Sequence, residues 1–139
     1  YDLIIGSRFI NKNPHKVDGM PFFRFLANRI FSSLTKSFLN INLTEFHTGF
    51  KLFSKNFHDT VPYEFNASSY LFSFQVILQS KIFKLKYGEI SISSVYNDKV
   101  SSCSYLEGLF YLIRNFEIIF LFYLAKLKLY IHPIFSLKK

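Results

Sequence analysis

The chain has no tryptophan and a single cysteine, Cys103, among its 139 residues. One thiol excludes an internal disulfide framework and a multi-thiolate metal site, which suits a reducing compartment. Cys103 reads as a loop or buried thiol rather than a nucleophile, since nothing points to a depressed pKa. Acidic residues are also scarce, nine against 17 Lys and Arg, and the formal charge of +8 makes acidic surfaces, phosphates or nucleic acid the natural partners. A basic leader and cleavage site are missing too, so Tyr1 does not open a signal peptide, and a chain that starts straight into a strand pattern is expected to be an excerpt. What the sequence does have is aromatic mass. Nineteen Phe and nine Tyr in a half-hydrophobic chain give a core the size of one modest domain, or part of one.

Leu3 to Ile5 is a short apolar run ended by Gly6, the pattern of a buried strand feeding a loop. Ligands in open α/β sheets sit at the carboxyl ends of strands, so Ser7 and Arg8 stand where ligands bind. The polar stretch 11–19, with Pro14, has the length of a lid-like loop. Pro21 suits the first turn of a helix, where its missing N–H would be unpaired anyway. From Phe22 to about Leu39, Phe23, Leu26, Ile30, Leu34 and Phe38 recur at helical spacing, which predicts an amphipathic helix with Arg24 and Asn28 on a neighbouring face. A short strand is expected after Gly49, with Ser54 capping the turn that follows. Ser68 or Ser69 is expected to cap a second helix whose apolar face is Tyr70, Phe74, Ile77 and Leu78. Alternation in "EISISSVY" predicts a strand from Glu89 to Tyr96 after a Tyr87-Gly88 turn.

From Leu106 to Ile131 nearly every position is Leu, Ile, Phe or Tyr, broken by Glu107, Arg114, Glu117, Lys126 and Lys128. A spanning helix needs roughly 20 apolar residues in succession. These charges cut the longest clean run to Ile118 through Ala125, so the segment is expected to lie on a membrane or pack on a partner. Two regions follow: 1–104, and an apolar, basic helical tail over 105–139.

Thr44-Glu45-Phe46-His47-Thr48-Gly49-Phe50-Lys51 places an acid, a histidine, hydroxyls and a glycine together, far more polar chemistry than a core strand requires. Read in order, "IIGSRF", "GMPFFRFLANR", "LTEFHTGFKLFSK", "VPYEFN" and "YGEISISSVY" followed by "VSS" resemble the second half of a family 2 glycosyltransferase domain. The similar branch includes dolichol-phosphate mannosyltransferases and polyprenyl-phosphate glycosyltransferases. The resemblance implies an α/β fold, the C-terminal half of a Rossmann-like GT-A domain, with a membrane-proximal amphipathic helix at its end. It implies transfer of a sugar from a nucleotide-sugar donor to a polyprenyl phosphate at the cytoplasmic face of a membrane, by a peripherally bound enzyme of cell-envelope biosynthesis.

In such enzymes a divalent metal, magnesium or manganese, held by an Asp-x-Asp motif, stabilises the leaving diphosphate. The aspartates here, Asp2, Asp18, Asp59 and Asp98, are isolated, so no metal ligand is expected in this stretch and the chain alone is expected to be inactive. The resemblance implies that Ser7, Arg8 and Arg24 bind the acceptor phosphate, with Arg29 the neighbouring alignment choice for Arg24. A guanidinium can hold two phosphate oxygens at once. Glu45 aligns with an acidic residue that orients the acceptor or acts as a base; positioning is the better reading, because a phosphate acceptor is already ionised. His47, Thr48 and Gly49 would line the site, Gly49 by permitting a tight backbone approach.

The chain departs from the family in two places. The residues after Asn66 read Ala67-Ser68-Ser69 where relatives carry acids, and Cys103-Ser104-Tyr105-Leu106-Glu107 replaces an aromatic and two arginines. A saccharide acceptor and a non-catalytic membrane-surface module of the same fold therefore stand as alternatives. Nucleic-acid binding is not expected, since the cations are dispersed and no RNA-binding motif occurs.

Overall fold

The computed structural model describes residues 1–10, 13–96 and 105–138, so Cys103 and the "VSS" stretch lie outside the described residues. Strand β1 (Leu3–Ser7) is the centre of a three-stranded sheet. It pairs antiparallel with β2 (Lys51–Phe53) and parallel with β3 (Tyr87–Ser91), in the order β2-β1-β3. Side chains alternate along a strand, so paired residues share a side and the register sorts the sheet into two faces. On the inner face Leu3 lies beside Phe53 and Tyr87, Ile5 beside Lys51 and Glu89, and Ser7 beside Ser91. That face changes from apolar to polar toward the carboxyl end of β1. The outer face carries Ile4, Leu52 and Ile90, of which Leu52 and Ile90 are exposed.

Gly88 is not the expected turn. It lies within β3 opposite Ile4, where an added Cβ would stand 2.9 Å from the Tyr1 ring. The chain reverses earlier, near Lys84, whose φ is +57°. β3 ends at Ser91 instead of Tyr96, although the Ile92 N–H still donates to the Ser7 carbonyl at 2.9 Å.

Helix α1 (Pro14–Val17) interrupts the lid-like loop and is capped by the Asn13 side chain. Helix α2 (Phe22–Leu39) begins directly after Pro21 and ends at Asn40 in the left-handed conformation. Its orientation overturns the obvious reading of its periodicity. Phe31, Ser32, Thr35 and Leu39 are buried, whereas the stripe of Phe23, Leu26, Ile30, Leu34 and Phe38 is exposed. Helix α3 (Lys55–Thr60) is capped as expected by Ser54, whose Oγ accepts from the Phe57 N–H at 3.1 Å.

Helix α4 (Leu71–Ile82) is buried on nearly every side, with Gln75, Gln79 and Ser80 enclosed beside Phe74, Ile77 and Leu78. Tyr70 is 63% exposed and falls off the expected apolar face. Ser68 does not cap the helix; Ser69 Oγ accepts from the Leu71 N–H at 3.4 Å. The enclosed amides are matched, as burial demands. Gln79 and Asn66 exchange bonds of 2.8 and 2.9 Å, and Gln75 Oε1 accepts from the Ala67 N–H at 2.8 Å.

Helix α5 (Tyr105–Lys126) packs on α4 and buries Asn115, Ile118, Ile119 and Phe122. The chain then folds back, and a 3-10 turn at Pro133–Phe135 sets Ile134 and Phe135 into the same core as Leu3, Ile5, Phe46 and Phe74. The last third thus supplies core rather than hanging from it. By length and composition Leu106–Lys126 is also long and apolar enough to cross a membrane, with only 22% of its most apolar window buried.

Candidate functional site

The polar end of β1 delivers Ser7 and Arg8 onto the segment that follows α2. Ser7 Oγ and Thr44 Oγ1 are hydrogen-bonded at 2.6 Å. Glu45, fully buried, accepts from the Arg8 backbone N–H at 2.7 Å and from Arg8 Nε at 2.8 Å, and a second guanidinium nitrogen closes a side-chain ion pair. Arg8 Nη1 donates to the Tyr96 hydroxyl. Burial acts to lower the Arg8 pKa, but the bonds and charge of Glu45 outweigh it and hold the guanidinium above its ordinary value.

Glu89, from β3, fixes the same segment from the other side. Its carboxylate accepts from the Thr44 N–H at 2.8 Å, from Thr44 Oγ1 at 3.1 Å and from the Glu45 N–H at 3.1 Å. Burial and the nearby Glu45 charge push its pKa up against those bonds. Lys51 occupies the same sheet row as Ile5 and Glu89, and its Nζ donates to the Thr48 carbonyl. Burial depresses its pKa from 10.5 to about 8, with Glu45 opposing the fall. Three separate stretches, "IIGSRF", "LTEFHTGFK" and "YGEISISSVY", therefore meet in one hydrogen-bonded cluster.

The other sequence-predicted residues fare differently. Arg24 is half-buried on α2 and makes no hydrogen bond or ion pair among the described residues, so nothing ties it to Arg8. His47 points into an aromatic box of Phe31, Phe46, Phe74 and Tyr111, with Nδ1 at 2.8 Å from the Tyr111 hydroxyl and Nε2 buried without a partner. Burial, then the charges of Lys51 and Arg8, lower its pKa from 6.5 to about 3. Thr48 is buried and its Oγ1 accepts from the Phe50 N–H at 3.3 Å, a local turn bond. At Gly49 an added Cβ would meet no protein atom within 4 Å. Gly6, like Gly88, is crowded: a Cβ there would lie 2.7 Å from Ile92 Cδ1 and 3.0 Å from Phe50 Cβ.

Sequence reasoning left Thr44, Glu89, Lys51 and Tyr96 out of the site. Glu89 and Tyr96 stood in an alternating run whose polar members carried the signal. Among the described residues no group of three or more His, Cys, Asp or Glu side chains could hold a metal, and Glu45 and Glu89 are already spent on Arg8 and on backbone N–H groups. No family model, curated protein or solved structure matches the chain.

Proposed function

We propose that this chain forms the acceptor side of a glycosyltransferase, one that moves a sugar from a nucleotide sugar onto a polyprenyl phosphate at a membrane surface. The observation that carries the reading is the convergence of Ser7-Arg8, Thr44-Glu45, Glu89 and Tyr96 at the carboxyl end of β1. In the reaction an acceptor phosphate oxygen bonds to the anomeric carbon while the bond from that carbon to the nucleoside diphosphate breaks, with inversion. The residues present do not fit the metal that the resemblance implies, so no step is routed through one. Their work is orientation. Glu45 fixes the guanidinium plane by two nitrogens, and an incoming phosphate displaces Tyr96 from Nη1 rather than assembling the site anew. A carboxylate so engaged is a positioning group, not a base.

The test is sugar transfer in membranes by the chain joined to a donor-binding half that carries the Asp-x-Asp motif, with the lipid phosphate varied. Arg8→Ala should weaken acceptor use by roughly 2–5 kcal/mol, and Arg8→Lys should rescue only part, because a point charge loses the two-pronged geometry. Wild-type acceptor kinetics for Arg8→Ala would remove the role. A second reading, a non-catalytic membrane-surface module, is favoured by one observation: Arg8 is neutralised by Glu45 and only 14% exposed. Transfer that is absent with every lipid phosphate, while membrane binding persists, would select it.

A further inference from the structure

The outward side of α5 carries a second pattern beside the one that builds the core. Leu106, Phe110, Ile113, Glu117, Phe120 and Leu124 stand alternately four and three residues apart, which at about 100° per residue keeps them in one narrow stripe. Leu106, Phe110, Ile113 and Phe120 are 56–69% exposed, on the side away from the buried Asn115, Ile118 and Phe122. Such spacing is the seam of a helix pair. Helix α2 is not the partner on that side, since it meets the flank of α5 through the Phe31–Phe116 ring contact and the bond from the Tyr123 hydroxyl to the Phe38 carbonyl.

Charge identifies the occupant. Glu117 interrupts the stripe near its middle, and Arg114 stands on its border one turn earlier, with Nη1 3.3 Å from Glu117 Oε2 and both side chains at least half exposed. A bilayer would have to take this pair into hydrocarbon at the centre of the apolar stripe, which is costly. A second copy of the chain would not. When two α5 helices lie antiparallel about Asn115, Leu106 faces Leu124 of the second copy and Phe110 faces its Phe120. Arg114 then comes within about 1.5 Å of the level of the second Glu117, one residue's rise. Two cations and two acids close a neutral cluster across the axis. A parallel pairing would set the two Glu117 carboxylates against each other, which disfavours it. Each copy brings six side chains of roughly 100 Å² apiece, so about 1,200 Å² is covered in all, the lower end of specific interfaces.

From these observations we infer that α5 is a homodimerisation helix: two copies of the chain pair antiparallel along the 106–124 stripe, with Arg114 and Glu117 paired across the two-fold axis. The inference stands without the glycosyl-transfer reading, because it uses none of the Arg8 cluster.

The test is sedimentation velocity on the full chain, free of lipid, over a concentration series. A reversible monomer–dimer equilibrium is expected. Arg114→Glu and Glu117→Arg should each weaken it about tenfold, because the two-fold axis counts every reversal twice. Mixing those two variants should restore association, since each reversed residue then meets its opposite on the other chain; a fault confined to one helix would not be cured by mixing. Phe110→Ser should weaken the dimer as well, and its exposed position leaves the fold of the monomer intact. For orientation, with Cys103 replaced by Ser, a Phe110→Cys chain mixed with a Phe120→Cys chain should oxidise to the mixed dimer faster than either alone. A chain that stays monomeric up to its solubility limit overturns the inference. Association that both charge reversals leave unchanged also overturns it and assigns self-contact to another surface. If monomers instead partition into zwitterionic vesicles and Phe110→Ser abolishes that partition, the stripe is a membrane face and the inference falls.

Discussion

Acidification should destabilise this protein through His47, and the size of the effect follows from its surroundings. The ring is boxed by aromatic groups and faces the positive charges of Lys51 and Arg8, which together with burial lower its pKa from 6.5 to about 3. The folded state therefore refuses a proton that the unfolded state accepts between those values. Because the unfolded chain binds more protons there, stability is full above pH 6.5 and falls as pH drops toward 3. Between pH 7 and pH 5 the loss is roughly 2 kcal/mol, from about 1.5 pH units at 1.36 kcal/mol each. His47→Gln removes the titration, and its amide can keep the bond to the Tyr111 hydroxyl. Urea unfolding followed by circular dichroism at both pH values gives the comparison. Other groups contribute to both proteins alike, so the wild type should lose about 2 kcal/mol more than the variant. Equal losses would mean that the folded ring protonates normally and that the enclosure described above is wrong.

Four further outcomes are expected. Glu45→Ala should cost roughly 3–5 kcal/mol in urea unfolding by stranding a buried guanidinium, and Arg8→Met in the same background should restore much of that. Lys51, with its pKa depressed to about 8, should make the fold more stable as pH rises from 8 toward 10.5, a slope that Lys51→Met abolishes in the same assay. Gly6→Ala should destabilise by roughly 1–3 kcal/mol because Ile92 and Phe50 crowd the site, whereas Gly49→Ala should be nearly silent in thermal melts. Co-sedimentation with anionic liposomes should weaken as salt rises, since Lys126 and Lys128 each add roughly 1 kcal/mol near a charged surface. A salt-resistant remainder should shrink when Phe23 and Leu34 of α2 are changed to Ser.

Local chemistry made parts of the fold legible. Pro21 at the head of α2 and Ser54 before α3 each rest on a backbone rule that needs no distant partner, as does the buried run Leu3–Ile5, although Gly6 does not end that strand as expected: β1 continues through it to Ser7, paired with Ile90 and Ser91. Which side of α2 faces inward was not legible, because its core side is built from Phe31 and Leu39 with small Ser32 and Thr35 between them. A periodicity argument follows the larger apolar residues, and these point outward. Gly88 resembled a turn because a glycine pressed against a ring and a glycine in a turn look alike in sequence; only the register against Ile4 separates them. At the site, Ser7, Arg8 and Glu45 were legible as individuals. Their union through Glu89 and Tyr96 depends on strands far apart in the chain.

The outer sheet face, with exposed Leu52 and Ile90 on edge strands β2 and β3 that pair with no further strand among the described residues, has a consequence for handling the protein in solution. Such a surface invites strand addition from a second molecule, and few side chains on it guard against that. The net charge of +8 is the main colloidal protection, and added electrolyte screens it within about 10 Å at 0.1 M. Salt should thus act in opposite senses on two behaviours, detaching the chain from lipid while driving it to self-associate. Storage at low ionic strength, and light scattering beside every sedimentation point, keep desorption and precipitation from being mistaken for each other.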